Sequence, residues 1–423
     1  VTIATRCKKQ FVCPQRVERG GQVTVEDPFI TVLPGMLSDT IRDLSGHQVL
    51  LFFEAAGIMI SAEPTSSKQE EYTAKLMELV NQSWLGIVDS ASGGLDSLRD
   101  PQKLKELARI YSINARVAGA VGPAYSKQLG TIFSDMLSMY SAMSRFTLEA
   151  LNSQGEIAAT TSGVKLYRSV RVAILGTLTE YIAKAKDSKF VVETFVTRLA
   201  EPILAEYQSS PACVREHQVL SLVRTIIKSC KSVLSGTAVS LLSYVFEPTL
   251  TMITANFEDH LDHRVGFFHL LETITEHAFA SLMSLPVDAQ KLLMNSIIWA
   301  FKHTDRQVSD TGLATLKLFL TALEQHPKSS EVAQPVYAAS FMDLLQDLLR
   351  VLTDRMHKTQ LAEHSSLIQH LLALAVNGRV TVPLWNSVQG ASAPQDGSNT
   401  TFIQQFLAHI LQQSFPNLGG GGG

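Results

Sequence analysis

Apolar residues recur at i, i+3, i+4 and i+7 along almost the whole of this chain, and that helical period limits its fold more than any other feature. Val219, Leu220, Val223, Ile226, Ile227 and Cys230 share one stripe, and Leu344, Leu345, Leu348, Leu349 and Leu352 share another. Strand signals are scarce. A chain of 423 residues patterned this way is either several helical domains or one elongated array, and 45% hydrophobic residues supply the apolar surface for either.

The breaks between stripes carry stop and start chemistry. Asp27-Pro28 and Asp100-Pro101 each place an N-cap residue before a proline at the first helical position. Gly46, Gly155 and Gly378 sit where helices are expected to end. Leu285-Pro286 and His326-Pro327 interrupt otherwise continuous periods, because the residue before proline is pushed out of the helical region. These signals predict helix pairs at 27–44 with 47–63, 66–92 with 100–119, 123–153 with 162–185, and 188–209 with 216–232. Further pairs follow at 236–256 with 259–282, 286–303 with 305–325, and 331–355 with 357–376. The pair spacing of roughly 40 to 65 residues is slightly long for HEAT-type repeats.

One helix pair cannot bury its own stripe, whereas stacked pairs share a continuous core. The pattern therefore predicts an all-α, HEAT-repeat α-solenoid, a superhelical array of stacked antiparallel helix pairs. Residues 1–12 read as the end of a preceding repeat helix, and 26–376 as seven HEAT-type pairs. Residues 399–418 read as the first helix of a further repeat, and 419–423 as a glycine tail. Residues 377–398, rich in Gly, Ser, Pro, Asn and Gln, are expected to be a mobile surface loop. The unpartnered helices at both ends, and the absence of an initiator Met, suggest a piece of something longer.

Chemistry is sparse. Lys and Arg number 36 against 39 Asp and Glu, so the basic excess of a direct nucleic-acid binder is missing. No apolar run reaches about 18 residues, so no membrane partner is expected. Cys7, Cys13, Cys213 and Cys230 form no CxxC pair and read as free thiols of a reducing compartment. His260 and His263 stand at i, i+3 beside Glu258 and Asp259, but no further ligand of suitable type supports a metal site, and an exposed polar helix start is the plainer reading. His357 with Glu363 and His364 is no better. There is no GxSxG elbow, no phosphate-binding glycine loop and no cofactor signature, so an enzyme is not expected. Glu70-Glu71 reads as a solvated helix face, Gly20-Gly21 and Gly93-Gly94 as loops. Phe52-Phe53, Phe267-Phe268, Trp299 and Phe301 read as core. Lys8, Lys9, Arg16 and Arg19 read as a solvated helix end or as a small positive patch for an acidic partner.

Several blocks resemble a known family. Residues 296–313 run Ser296-Ile297-Ile298-Trp299-Ala300-Phe301-Lys302-His303-Thr304, then Asp305-Arg306-Gln307-Val308-Ser309-Asp310-Thr311-Gly312-Leu313. In the same order as the family come His47-Gln48-Val49 with Phe53-Glu54-Ala55 and Gly57, then Gln128-Leu129-Gly130 with Ile132 and Asp135-Met136-Leu137. His263-Arg264 with Phe267-Phe268, Leu270 and Leu271, and Ser414-Phe415-Pro416-Asn417-Leu418, complete the set. Together they resemble the C-terminal half of the exportin-1 family, nuclear export receptors of the karyopherin-β (importin-β) group.

The resemblance implies a protein that shuttles between nucleus and cytoplasm, carrying leucine-rich export-signal cargo with Ran-GTP through the pore as a monomer. It implies that the signal groove lies mainly upstream, with only residues near Thr2, Ile3 and Phe11 at its edge, and that neither Cys7 nor Cys13 is the family's reactive groove cysteine. This part would act as a scaffold offering contacts to Ran and to FG nucleoporins. Second helices would line the concave side, which makes Arg264, Lys302 and Arg306 partner-facing candidates beside Thr2, Ile3, Lys8 and Lys9. The alternatives are a helical-repeat adaptor of another trafficking or regulatory complex, or an all-helical enzyme, which would need a convergent polar pocket.

Overall fold

A computed structural model describes residues 1–19, 22–231, 233–234, 236–255, 259–352 and 359–414. The chain divides into two compact units, Val1–Gly266 and Phe267–Gly423. The first begins with α1 (Thr2–Cys7), then β1 (Gln15–Arg19) and β2 (Gln22–Glu26), then α2 (Phe29–Ile41) and α3 (Gly46–Ile60). It continues through α4 (Ser66–Ser92), α5 (Pro101–Val121), α6 (Ser126–Gln154), α7 (Ser162–Lys184), α8 (Ser188–Thr194), α9 (Glu206–Ser209), α10 (Gln218–Cys230) and α11 (Thr237–Ala255). Helix α12 (Leu261–His277) runs across the division. The second unit then holds α13 (Phe279–Met283), α14 (Val287–Phe301), α15 (Arg306–Gln325), α16 (Ser329–Leu352), α17 (Leu361–Val376) and α18 (Asn399–Ser414).

The architecture is the all-α helical repeat that the apolar period predicts. In the first unit the second helices α3, α5, α7 and α10 pack side by side as one layer. The first helices α2, α4 and α6 form the other, continued by the segment around α9 and by α11. In the second unit α14 and α16 make one layer, α15 and α17 the other. The stripes lie between the layers: in α10, Val219, Leu220, Leu222, Val223, Ile226, Ile227 and Cys230 are all buried. At about 25 cal/mol per Å² of apolar surface, such stripes are the main source of stability. Helix α11 is long and apolar enough to cross a membrane by length and composition. Here Leu241, Leu242, Val245, Met252 and Ile253 are buried, and α11 packs on α9 and α10.

Polar contacts fix the register between pairs. Asn81 of α4 and Gln128 of α6 exchange amide hydrogen bonds of 3.0 and 2.8 Å, and Tyr125 donates to Asn114 of α5. At the corner between α14 and α15, His303 Nδ1 accepts from the Asp305 N–H at 2.8 Å, and Asp305 caps α15 by accepting from the Val308 N–H at 3.1 Å. The 296–313 block is thus a tightly built helix corner.

Several local expectations hold. Asp100 caps α5 by accepting from the Gln102 N–H, with Pro101 at the first helical position. Gly155 ends α6 at φ 73°, and Gly378 follows α17 at φ 68°, the left-handed region that glycine enters without a Cβ clash. Glu71 pairs with Lys75 on an exposed face of α4.

Others are corrected. Gly46 opens α3 rather than closing α2: Ser45 caps it with a full capping box to Gln48. Pro28, not Asp27, is the cap residue of α2 and makes no side-chain bond. Strands β1 and β2 pair antiparallel, Gln15 with Glu26 and Val17 with Thr24. Arg16 therefore lies on a strand rather than at a helix end. Helix 188–209 is broken into α8, a 3₁₀ turn at Val196–Leu199, a π turn at Ala200–Ala205, and α9. Pro202 lies in the π turn, where its missing N–H removes one bond of the i→i−4 ladder and its ring crowds the preceding turn. Gly20, Gly21, Glu258, His357 and 415–423 lie outside the described residues.

Hydrogen bonds tie residues 377–398 to the helices on either side. Gln334 of α16 donates to the Arg379 carbonyl at 2.8 Å and accepts from the Thr381 and Val382 N–H groups at 2.8 and 3.2 Å. Asn399 accepts from the Leu384 N–H and donates to the Val380 and Val382 carbonyls. Val380 and Leu384 are buried beneath these bonds. Replacing Gln334 by Ala removes three bonds of about 1 kcal/mol each. Proteolysis within 377–398 is then expected to accelerate at least about tenfold, with the rest of the chain as resistant as before. A limited-digestion time course checks this.

Candidate partner-binding surfaces

Two clefts bring polar side chains of distant sequence together, one in each unit. In the first unit, a cleft of about 630 Å³ crosses the layer of second helices from α1 to α7. Its floor is low because α5 and α7 present Ala115, Gly119, Ala120 and Gly176 there. Its rim is charged by Lys8, Arg116 and Lys184 against Glu54 and Glu180. Arg116 Nη1 stands 3.1 Å from Glu54 Oε2, strapping α5 to α3. The Glu180 carboxylate lies over Gly119, where a Cβ would come within 2.6 Å of Oε2.

In the second unit, a cleft of about 430 Å³ lies between α14 and α16. Lys302 Nζ approaches Asp347 Oδ1 at 2.9 Å, and Arg350 Nη1 reaches the same oxygen at 3.4 Å. Trp299 is half-buried in this cleft, and its ring leans on Phe268 at 5.5 Å between centroids. A partly exposed indole bordered by charged groups suits an apolar or aromatic side chain of a partner protein. Phe52 is likewise half-buried, whereas Phe53, Phe267, Phe268 and Phe301 are core.

The seven sequence candidates scatter. Thr2 and Ile3 are exposed on α1, Ile3 at 71%. Lys8 and Lys9 are exposed in the following 3₁₀ turn, and of these four only Lys8 lines the first cleft. Arg306 is exposed and pairs with Asp310 one turn on at 3.4 Å. Lys302 ends α14, a first helix, and reaches Asp347 on another first helix, so it does not lie on the second-helix layer that made it a candidate. Arg264 is not a surface residue: it is 2% exposed and donates to the Asp259 carbonyl at 3.1 Å. Helix-period counting placed it only on a face, and its guanidinium is drawn inward by backbone carbonyls. Glu54, Arg116, Glu180 and Lys184 were missed, and the alanine–glycine spacing of α5 is the signal that marks their cleft.

His263 also departs from expectation. It is buried, not part of an exposed helix start, and its Nε2 has no hydrogen-bond partner. Burial, then the neighbouring His217 and His260, push its pKa down to about 3. Among the described residues no group of three His, Cys, Asp or Glu is placed to hold a metal ion. An unfolded chain binds a proton at this histidine near pH 6.5, whereas the folded one does not until about 3. The unfolded state therefore takes up more protons across that window, and stability falls as pH drops through it. His263→Gln is expected to flatten that fall, which urea titrations at about pH 7.5 and 5 measure.

Comparison with known proteins places this arrangement. Residues 128–421 match the family described as "CRM1 C terminal". The chain is 35% identical over 417 residues to "Protein EXPORTIN 1B" of Arabidopsis thaliana, covering 98% of this chain and 38% of that protein. It is 33% identical to "Exportin-1" of Schizosaccharomyces pombe and to "Exportin-1" of Drosophila melanogaster, covering 99% of this chain and 38% of each relative. The chain thus spans 38% of the length of these curated relatives. With matched blocks, paired helices and coverage from end to end in agreement, the chain belongs to the exportin-1 family, in its CRM1 C-terminal region.

Proposed function

We propose that this chain is the scaffold segment of a nuclear export receptor that carries leucine-rich export-signal cargo with Ran-GTP through the nuclear pore. The observation that carries this reading is end-to-end similarity to exportin-1 proteins on a fold made of stacked helix pairs. The segment binds proteins and catalyses no reaction. The charged cleft of the first unit suits polar contacts with Ran or cargo, and the Trp299 cleft suits the aromatic side chains of FG nucleoporins. The export-signal groove belongs to repeats that precede this segment, and the whole receptor shuttles between nucleus and cytoplasm.

A pull-down offering Ran-GTP, an export-signal peptide and FG-repeat nucleoporin tests this. The full-length receptor is expected to retain all three, and this chain alone only nucleoporin or weak Ran. A receptor indifferent to Ran-GTP and to the signal peptide would reduce the likeness to architecture and leave a general helical-repeat adaptor.

A further inference from the structure

A cluster of buried charge in the first unit lies beside the π turn. Arg171 of α7 is fully buried. Its Nη2 donates to Glu206 at 3.1 Å and to the Tyr140 hydroxyl of α6 at 3.3 Å, and its guanidinium lies over the Tyr140 ring. Ser210 donates to the other Glu206 oxygen at 2.8 Å. Glu216, just before α10, is held by Arg168 of α7 through two bonds of 2.8 and 3.0 Å. Arg215 donates to the Tyr207 and Gln208 carbonyls and to the Pro248 carbonyl of α11. Two carboxylates on the connecting segment thus meet two arginines of α7.

Glu206 is the first residue after the π turn Ala200–Ala205. A π turn holds about one residue more than an α turn, so side chains beyond it are rotated by about 100° relative to a regular helix. That rotation aims Glu206 at Arg171. In a regular helix the carboxylate would swing away, and Arg171 would lose a buried partner. The segment's apolar side chains, Val191, Phe195, Leu199, Ile203, Leu204 and Tyr207, are buried and hold it against its neighbours.

We propose that residues 188–216 form a charge-locked joint, in which the Arg171–Glu206 contact holds the π turn and its release lets the turn shift to an α-helical turn kinked at Pro202, rotating the chain that follows. The joint connects the pair α6/α7 to α10 and α11. It gives this stretch two discrete backbone states, selected by one buried ion pair.

Hydrogen exchange followed by mass spectrometry on the full chain tests this. In the parent, amides of 200–209 are expected to open as one local unit, faster than those of α5 and α7. Glu206→Gln should speed exchange of 200–209 by at least about tenfold, the equivalent of about 1.4 kcal/mol, and leave α5 unchanged. Adding Pro202→Ala to Glu206→Gln should slow it again to the parent rate or below, because a complete helical ladder becomes available. Exchange in Glu206→Gln within about twofold of the parent, or equal acceleration in α5 and α7, would overturn the proposal. So would parent amides of 200–209 that open only with global unfolding, a readout that needs no variant to fold.

Discussion

Arg171→Met is expected to destabilise the first unit by about 3–5 kcal/mol, the usual loss when one member of a buried ion pair is removed. Methionine replaces only the aliphatic stem, so the space left by the guanidinium adds to the loss. The substitution leaves Glu206 without its cation and Glu216 with Arg168 alone, and Tyr140 loses the cation over its ring. Burial pulls the arginine toward neutrality, but Tyr140, Glu206 and Glu216 outweigh it and hold the charge. Trp84 bonds the Tyr111 hydroxyl inside this unit. With Trp299 and Trp385 changed to Phe, its fluorescence during urea unfolding reports the loss. Adding Glu206→Gln should recover most of it, because the carboxylate that Arg171 paired is then neutral while Glu216 keeps Arg168. A loss below about 1 kcal/mol would mean that water reaches the carboxylates.

Gly312→Ala is expected to destabilise the second unit by about 3 kcal/mol, at the upper end for an inserted methyl group. A Cβ there would stand 2.5 Å from the Phe301 backbone nitrogen and 2.8 Å from the Ala300 carbonyl carbon and Cβ. Two of these atoms are backbone, so no rotamer change relieves the overlap and α14 must move off α15. Trp299 fluorescence, with Trp84 and Trp385 changed to Phe, follows the consequence. An unchanged urea profile would show that the corner yields without loss.

Periodic apolar residues made the helix pairs legible, because each stripe names the face that its helix buries. Asp100-Pro101, Gly155 and Gly378 announced their helix ends for the same local reason. The π turn was not legible: Pro202 warns of a break but does not say that the chain widens rather than bends. The strand pair β1–β2 offers one valine on its first strand, too few for alternation to register. The segment 377–398 has a loop's composition, and the bonds that tie it to α16 come from Gln334, far away in sequence. The clefts were the least legible feature. Lys8, Glu54, Arg116 and Glu180 come from four separate helical segments, and no single-helix pattern brings them together. Arg264 and His263 lie on the buried side of α12, where residue type suggested solvent.

Side-by-side layering has a consequence for how this chain unfolds. Within each layer a helix touches chiefly the helices one repeat away, so stability is close to a sum of neighbour terms. Cooperativity is then local. Denaturation should proceed in steps rather than one all-or-none transition, and no single melting temperature characterises the molecule. Arg171→Met and Gly312→Ala should each displace its own step.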